Sequence, residues 1–250
     1  MTEDQIRDNA ITFARRNKKS IAKRLTSKSI YFPEKEPVSV FMAGSPGAGK
    51  TESSLALLET FKLQHGQDVL RIDPDELRCE LPGYTGNNSW LFQFAVSILV
   101  DKIHDTALDQ KQSFLLDGTL ANYDIAKKNI ERSIKRNRFV QILYVYQEPK
   151  LAWKFALARE HIEGRRIPLE SFIEQYFSSR RVVNTLKQNF QKKINVDLLI
   201  KNNDNSLKAT KQNISEVDGY LPEKYTPASL HRELIHIGEH YVRTPSKSEE

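Results

Sequence analysis

Gly44-Ser45-Pro46-Gly47-Ala48-Gly49-Lys50-Thr51 is a complete G-x-x-x-x-G-K-T phosphate-binding loop, and its surroundings decide the fold. Ahead of it, the apolar, β-branched run Val38–Ala43 reads as a buried strand. Behind it, Glu52–Phe61 reads as a helix with Leu55, Leu57 and Leu58 on or beside one face. Strand, glycine loop and helix in that order are what the motif needs. The glycines let the backbone wrap an anion, and bare N–H groups at the helix start face the phosphates. Every residue from Gly44 to Thr51 is therefore a candidate nucleotide contact. Lys50 would bridge the terminal phosphates of ATP, and the Thr51 hydroxyl would ligate Mg²⁺. The alternative, a chance glycine-rich turn, does not account for the flanking elements.

Outward from the loop, strand and helix patterns alternate. Asp68–Ile72 and Ser113–Leu116 read as short strands ending in acids, Phe139–Val145 as a third and Asp197–Ile200 as a late one. Between them, helical spacing covers Ser89–Leu108, Ile125–Asn137 and Lys150–Ile162. This predicts an α/β domain of P-loop kinase type, a mostly parallel sheet with helices on both faces and a helical lid. The predicted organisation is a basic N-terminal helical segment over residues 1–35, the P-loop kinase domain over 36–206, and a C-terminal helical extension with a frayed tail over 207–250.

The 250 residues are 39% hydrophobic and 28% charged, enough for one sizeable core. No apolar run is long enough for a membrane span, and the N-terminus shows no apolar signal core. A single cysteine, Cys79, excludes an internal disulfide and reads as a buried thiol. These features fit a cytoplasmic enzyme. The net charge of +6 is localised, because residues 1–28 carry eight Lys or Arg against three acids. Ile6, Phe13, Ile21 and Leu25 could seat that basic helix on the domain. A near-neutral body argues against a nucleic-acid partner, since a basic stripe would be expected there.

Three further groups could carry chemistry. The strand ending at Ile72 runs into Asp73-Pro74-Asp75-Glu76-Leu77-Arg78. In an α/β sheet the carboxyl ends of the strands line the ligand crevice, so both acids arrive beside the phosphate loop. They suit Mg²⁺ handling and a general base, which a kinase needs because the acceptor hydroxyl loses its proton as it attacks. The bland alternative is a helix start capped by Asp73, and the two roles can coexist. Asp117-Gly118-Thr119 ends the next strand, where a carboxylate can reach the metal, its water shell or the acceptor. Arg159, Arg165 and Arg166 cluster around Gly164, and Arg180 and Arg181 lie on the following helix. Arginines on a closing segment can stabilise the charge spread over a transferring phosphoryl group. After the late strand, Asn203 in Lys201-Asn202-Asn203-Asp204-Asn205 could bind an adenine edge. His236 and His240 lie four apart, but no third metal ligand is evident nearby.

In this order and spacing the motifs resemble the zeta toxin family, ATP-dependent kinases of toxin–antitoxin systems. The resemblance rests on Gly44–Thr51, on Asp73 and Asp75 with Arg78 and Pro82, on Asp117-Gly118-Thr119, and on Arg159 with Arg165. It covers about residues 36–206. It implies phosphorylation of the 3′-hydroxyl of a UDP-N-acetylamino sugar such as UDP-N-acetylglucosamine, with Lys50 on the phosphates, Mg²⁺ on Thr51 beside Asp73, and Asp75 as the base. Asp117, with Thr119 and Arg78, would contact the substrate, and Arg159 and Arg165 the ATP phosphates. It also implies a protein antitoxin as partner. Well-studied members carry Glu at the Asp117 position, and the Gly/Asn-rich segment Leu81–Trp90 would shape a different acceptor pocket. The rival readings are another P-loop phosphotransferase, acting on an antibiotic, a dinucleotide or a polynucleotide 5′ end, and a non-enzymatic nucleotide-binding module. A module needs no acceptor base, so the acids argue against it.

Overall fold

The computed structural model describes residues 1–163 and 167–243 and, for residues 161–163 and 239–243, the backbone alone. In chain order the elements are α1 (Glu3–Leu25), β1 (Val38–Ala43), α2 (Lys50–His65), β2 (Leu70–Ile72), α3 (Gln93–Asp109), β3 (Phe114–Leu116), α4 (Tyr123–Ile134), β4 (Phe139–Tyr146), α5 (Pro149–Glu163), α6 (Leu169–Phe190), β5 (Asn195–Lys201), β6 (Leu207–Lys211) and α7 (Pro227–Arg243). Short 3₁₀ turns, Glu76–Glu80 and Ser89–Phe92, separate β2 from α3.

Among the described residues, the strands form one six-stranded sheet in the order β2-β3-β1-β4-β5-β6. All neighbours are parallel except β6, which returns antiparallel to β5. The glycine-loop strand β1 is central, with Val40 paired to Leu115 on one side and Gln141 on the other. A parallel sheet is buried on both faces, which is why its strands read as near-continuous apolar runs.

The two faces are unequal. Phe41, Phe114, Ile142, Tyr144 and Val196 enter a deep core with residues of α1, α3, α4 and α6. Met42, Leu115, Leu143 and Val145 form a thinner layer, with Leu58 of α2 packed against it. The expected apolar face of α2 is misplaced: Leu55 is 51% exposed and Leu57 39%. The stripe that faces inward is Thr51, Ser54, Leu58 and Phe61, the i, i+3, i+7, i+10 series set by the loop's exit direction.

α1 docks as its pattern suggested. Ala10, Ala14, Ile21 and Ala22 are buried, Ile6, Phe13 and Leu25 pack at the margin, and Arg15, Arg16, Lys19 and Lys23 stay exposed. The C-terminal α7 joins α5 and α6 through Trp153, Phe172, Leu230 and Leu234. Arg180 is structural. It donates to Asp218 at 2.6 Å, to Glu223 at 3.1 Å and to the Leu221 carbonyl, pinning the segment that follows β6. Cys79 is exposed rather than buried. On a 3₁₀ turn it projects away from Leu77, the residue that faces the core.

Candidate functional site

The loop after β1 is shaped by positive φ at Gly44 (133°), Gly47 (70°) and Gly49 (85°). It also has no room for side chains. A Cβ on Gly44 would stand 2.3 Å from the Val145 carbonyl oxygen, and one on Gly47 2.0 Å from that of Ala152. The Gly44 N–H donates to the Thr119 carbonyl at 3.2 Å, so the Asp117-Gly118-Thr119 turn abuts the loop's first residue. No side chain caps α2 at Gly49, which leaves its first N–H groups for an anion.

Lys50, the first residue of α2, is half-buried and folds back over the loop, its Nζ donating to the carbonyls of Gly44 (3.0 Å) and Ser45 (2.6 Å). Burial pushes its ammonium down to about 8, with Arg159 adding to the fall while Asp117, Asp75 and Glu52 oppose it. Among the described residues the acceptors of this ammonium are neutral carbonyls, which a phosphate group arriving here can replace. The Thr51 hydroxyl accepts and donates no hydrogen bond among the described residues, and a hydroxyl in that condition fits a divalent metal ligand.

The acids converge from two strand ends. Asp73 Oδ1 accepts from the Asp75 N–H at 2.8 Å, and the Leu77 N–H reaches the Asp73 carbonyl at 3.1 Å. Asp73 thus closes a local turn ahead of the 3₁₀ turn, whose N-cap is Asp75 and not Asp73 as the capping alternative supposed, while its Oδ2 accepts from Arg71 at 2.6 Å. Burial raises its carboxyl above the usual range, and Arg71 opposes that rise. Asp75 pairs with Arg78 at 2.5 Å. Asp117 is buried at the end of β3, and its Oδ2 accepts from Ser54 Oγ at 3.0 Å and from Arg71 Nη2 at 2.7 Å.

Arg159, on α5, lies 3.5 Å from Glu52 in the first turn of α2, close enough to the loop for its charge to act on Lys50. Arg165 lies outside the described residues. Asn203 lines a cleft of about 400 Å³ with Lys201, Asn202, Asp204 and Lys208. The asparagine that touches the loop is Asn205. A Cβ on Gly49 would meet its Oδ1 at 2.3 Å and Lys201 Cε at 2.9 Å.

Sequence reasoning missed Arg71, Ser54 and Asn205. Arg71 had a faint signal, a lone cation in a three-residue buried strand. Ser54 had one too, standing one turn beyond Thr51 on the inward stripe. For Asn205, nothing local separates it from its neighbours Asn202 and Asn203.

A zeta toxin family model matches residues 21–214. Among solved structures, the PezAT chromosomal toxin–antitoxin system of Streptococcus pneumoniae aligns at 18% identity and TM-score 0.67, covering 95% of this chain and 97% of that one. The AvrRxo1-ORF1:AvrRxo1-ORF2 complex with sulphate ions aligns at 16% identity and TM-score 0.57, covering 98% and 81%. The same pair with ATP aligns at 16% identity and TM-score 0.55, covering 86% and 70%. At these identities the structural likeness concerns the fold. No curated protein matches the chain.

Proposed function

The chain belongs to the zeta toxin family, and on that premise we propose that it is an ATP- and Mg²⁺-dependent kinase acting on a hydroxyl of a UDP-N-acetylamino sugar, as the toxin of a toxin–antitoxin pair. One observation carries the reading. A phosphate loop with a half-buried Lys50 lies close enough to Asp117 and Asp75, beyond the ends of β3 and β2, for their charges to act on it, and the 3.0 Å Ser54–Asp117 bond ties the helix of the loop to β3. The ATP named for a fold relative and the antitoxin partner of the pneumococcal system support the donor and the partner assigned here.

The loop N–H groups and Lys50 would hold the β- and γ-phosphates, and Thr51 would hold Mg²⁺. Asp73, both of whose oxygens already accept hydrogen bonds, would act on the metal through water. Bound there, Mg²⁺ would neutralise charge building on the phosphate oxygens. Asp75 is the base, accepting the acceptor's hydroxyl proton as that oxygen bonds to the γ-phosphorus and the bond to ADP breaks. For this Asp75 must exchange its pairing with Arg78 for the acceptor, and Arg78 is then free to meet a substrate anion. Asp117 and the Thr119 turn would position the sugar. Arg159 and Arg165 would stabilise the transferring phosphoryl group.

The experiment is incubation of purified protein with ATP, Mg²⁺ and a panel of UDP-sugars, antibiotics, dinucleotides and polynucleotide 5′ ends, read by mass spectrometry. Gain of one phosphoryl group on the UDP-N-acetylamino sugar supports the reading. Gain on a different acceptor alone retains a kinase and replaces its substrate.

A further inference from the structure

Arg71 sits at the middle of the short strand β2, where alternation alone would place a core residue or a solvated one. It is neither. Its side chain is 9% exposed, and its guanidinium spreads over four partners. Nη2 donates to Asp73 Oδ2 at 2.6 Å and to Asp117 Oδ2 at 2.7 Å, Nη1 to Glu76 Oε1 at 2.5 Å, and Nε to Ser54 Oγ at 3.3 Å. These come from the ends of β2 and β3, from the 3₁₀ turn and from α2. Two carboxylates that share one nitrogen at 2.6 and 2.7 Å lie close together, and at side-chain exposures of 10% and 6% neither is well hydrated. A close, poorly hydrated carboxylate pair at a nucleotide site is an oxygen-ligand set for a divalent cation. Here a fixed cation already occupies it, with Nη2 shared between the two carboxylates and Nη1 and Nε held by Glu76 and Ser54.

We propose that Arg71 is a positioning residue of the phosphoryl-transfer site: a resident cation that keeps Asp73 and Asp117 from ligating a divalent metal directly and holds Asp117 by Oδ2, leaving Oδ1 for the acceptor. The proposal rests on the kinase reading above. Among the described residues none donates to Asp117 Oδ1, whereas Oδ2 is doubly engaged. Thr51 would then be the side chain left to hold Mg²⁺, together with a bound nucleotide. Metal binding becomes conditional on nucleotide, and Asp117 serves the acceptor rather than the metal.

The test has a binding arm and a kinetic arm. In the binding arm, Mn²⁺ is titrated into the nucleotide-free full-length protein by calorimetry. The wild type should show no saturable site, while R71Q should gain one that R71Q/D117N loses again. In the kinetic arm, R71Q should lower kcat at least tenfold and raise the acceptor KM, with the ATP KM within about threefold of wild type, and R71K should recover part of kcat. Wild-type protein that binds Mn²⁺ without nucleotide, with the binding lost in D117N, would overturn the proposal whether or not R71Q folds. So would a folded R71Q with unchanged kcat and acceptor KM. If no acceptor is phosphorylated by the wild type, the kinase reading fails, and the binding arm still decides what Arg71 does to the carboxylates.

Discussion

Gly47 and Ala152 are in such close approach that a Cβ on the glycine would stand 2.0 Å from the alanine's carbonyl oxygen. The phosphate loop is therefore pressed against the backbone of α5. α5 in turn is held by α7, through the Lys150–Glu233 ion pair at 2.5 Å and the packing of Trp153 with Leu230 and Leu234. Arg159 is carried on the same helix, so the helix that packs on the loop also brings this cation to it.

Gly47→Ala should consequently fail twice, through the clash and through a φ of +70°. The cost should be about 1–3 kcal/mol of stability together with loss of ATP binding. Gly118→Ala is the control, because a Cβ there meets nothing within 4 Å. Thermal midpoints and ATP affinities for the two variants check this. Equal damage from both would contradict the packing account.

The depressed Lys50 predicts a pH dependence of nucleotide binding. Its ammonium is lost as pH rises through about 8, and phosphate binding favours the charged form. Binding above that pH must therefore draw a proton from solution. The ATP dissociation constant should rise roughly tenfold between about pH 7.5 and about pH 9. Calorimetry in buffers of different ionisation enthalpy should show close to one proton taken up at the higher pH and little at the lower. Lys50→Ala should remove this uptake along with most of the affinity.

Asp75 and Asp73 should separate cleanly. Asp75→Asn removes the base, so turnover should fall by roughly 10²–10⁴-fold while fold and ATP affinity survive. Asp73→Asn keeps an oxygen for the Asp75 N–H and leaves Arg71 paired with Asp117 and Glu76, so it should lower stability by about 1 kcal/mol and change the metal dependence. Turnover, ATP affinity and thermal midpoint are measured for each. An active Asp75→Asn beside a folded, dead Asp73→Asn would exchange the two roles.

His104, on α3, is fully buried between Phe114 at 4.8 Å and Phe41 at 6.2 Å, and neither ring nitrogen has a hydrogen-bond partner among the described residues. Burial drives its pKa down to about 3; Arg132 and Arg138 add to this and Asp101 opposes it. The unfolded chain therefore binds a proton that the native state refuses between about pH 6.5 and about pH 3. The contribution is complete above the unfolded value and is lost as pH falls. By about pH 5 the loss amounts to about 2 kcal/mol. His104→Leu should shrink the drop in thermal midpoint between neutral pH and pH 5, and an unchanged drop would assign acid sensitivity to the carboxylates alone.

Local chemistry was legible in the sequence. The loop, its strand and the acids at Asp73, Asp75 and Asp117 follow from neighbours within a few residues, and the alternating elements gave the sheet its parallel character. What escaped depends on distance or on weak pattern. Arg71 meets Asp117 across 46 positions and Ser54 meets it across 63, separations that no window sees. β6, Leu207–Lys211, is an almost wholly exposed edge strand, so it lacks the buried alternation that marks a strand. The leucines of α2 suggested an apolar face, yet the inward stripe is set by Thr51 and Ser54, polar residues facing the site. His104 looked like any residue on an apolar helix face.

The central claim is phosphoryl transfer from ATP to a hydroxyl, with Asp75 taking the proton. The most direct test is to incubate wild-type protein and Asp75→Asn with ATP bearing a labelled γ-phosphate, Mg²⁺ and UDP-N-acetylglucosamine, and to follow the label by mass spectrometry. The account predicts label on a sugar hydroxyl with the wild type and at least about a hundredfold less with Asp75→Asn at equal ATP affinity. Label released only as free phosphate, at the same rate with both proteins, would contradict it.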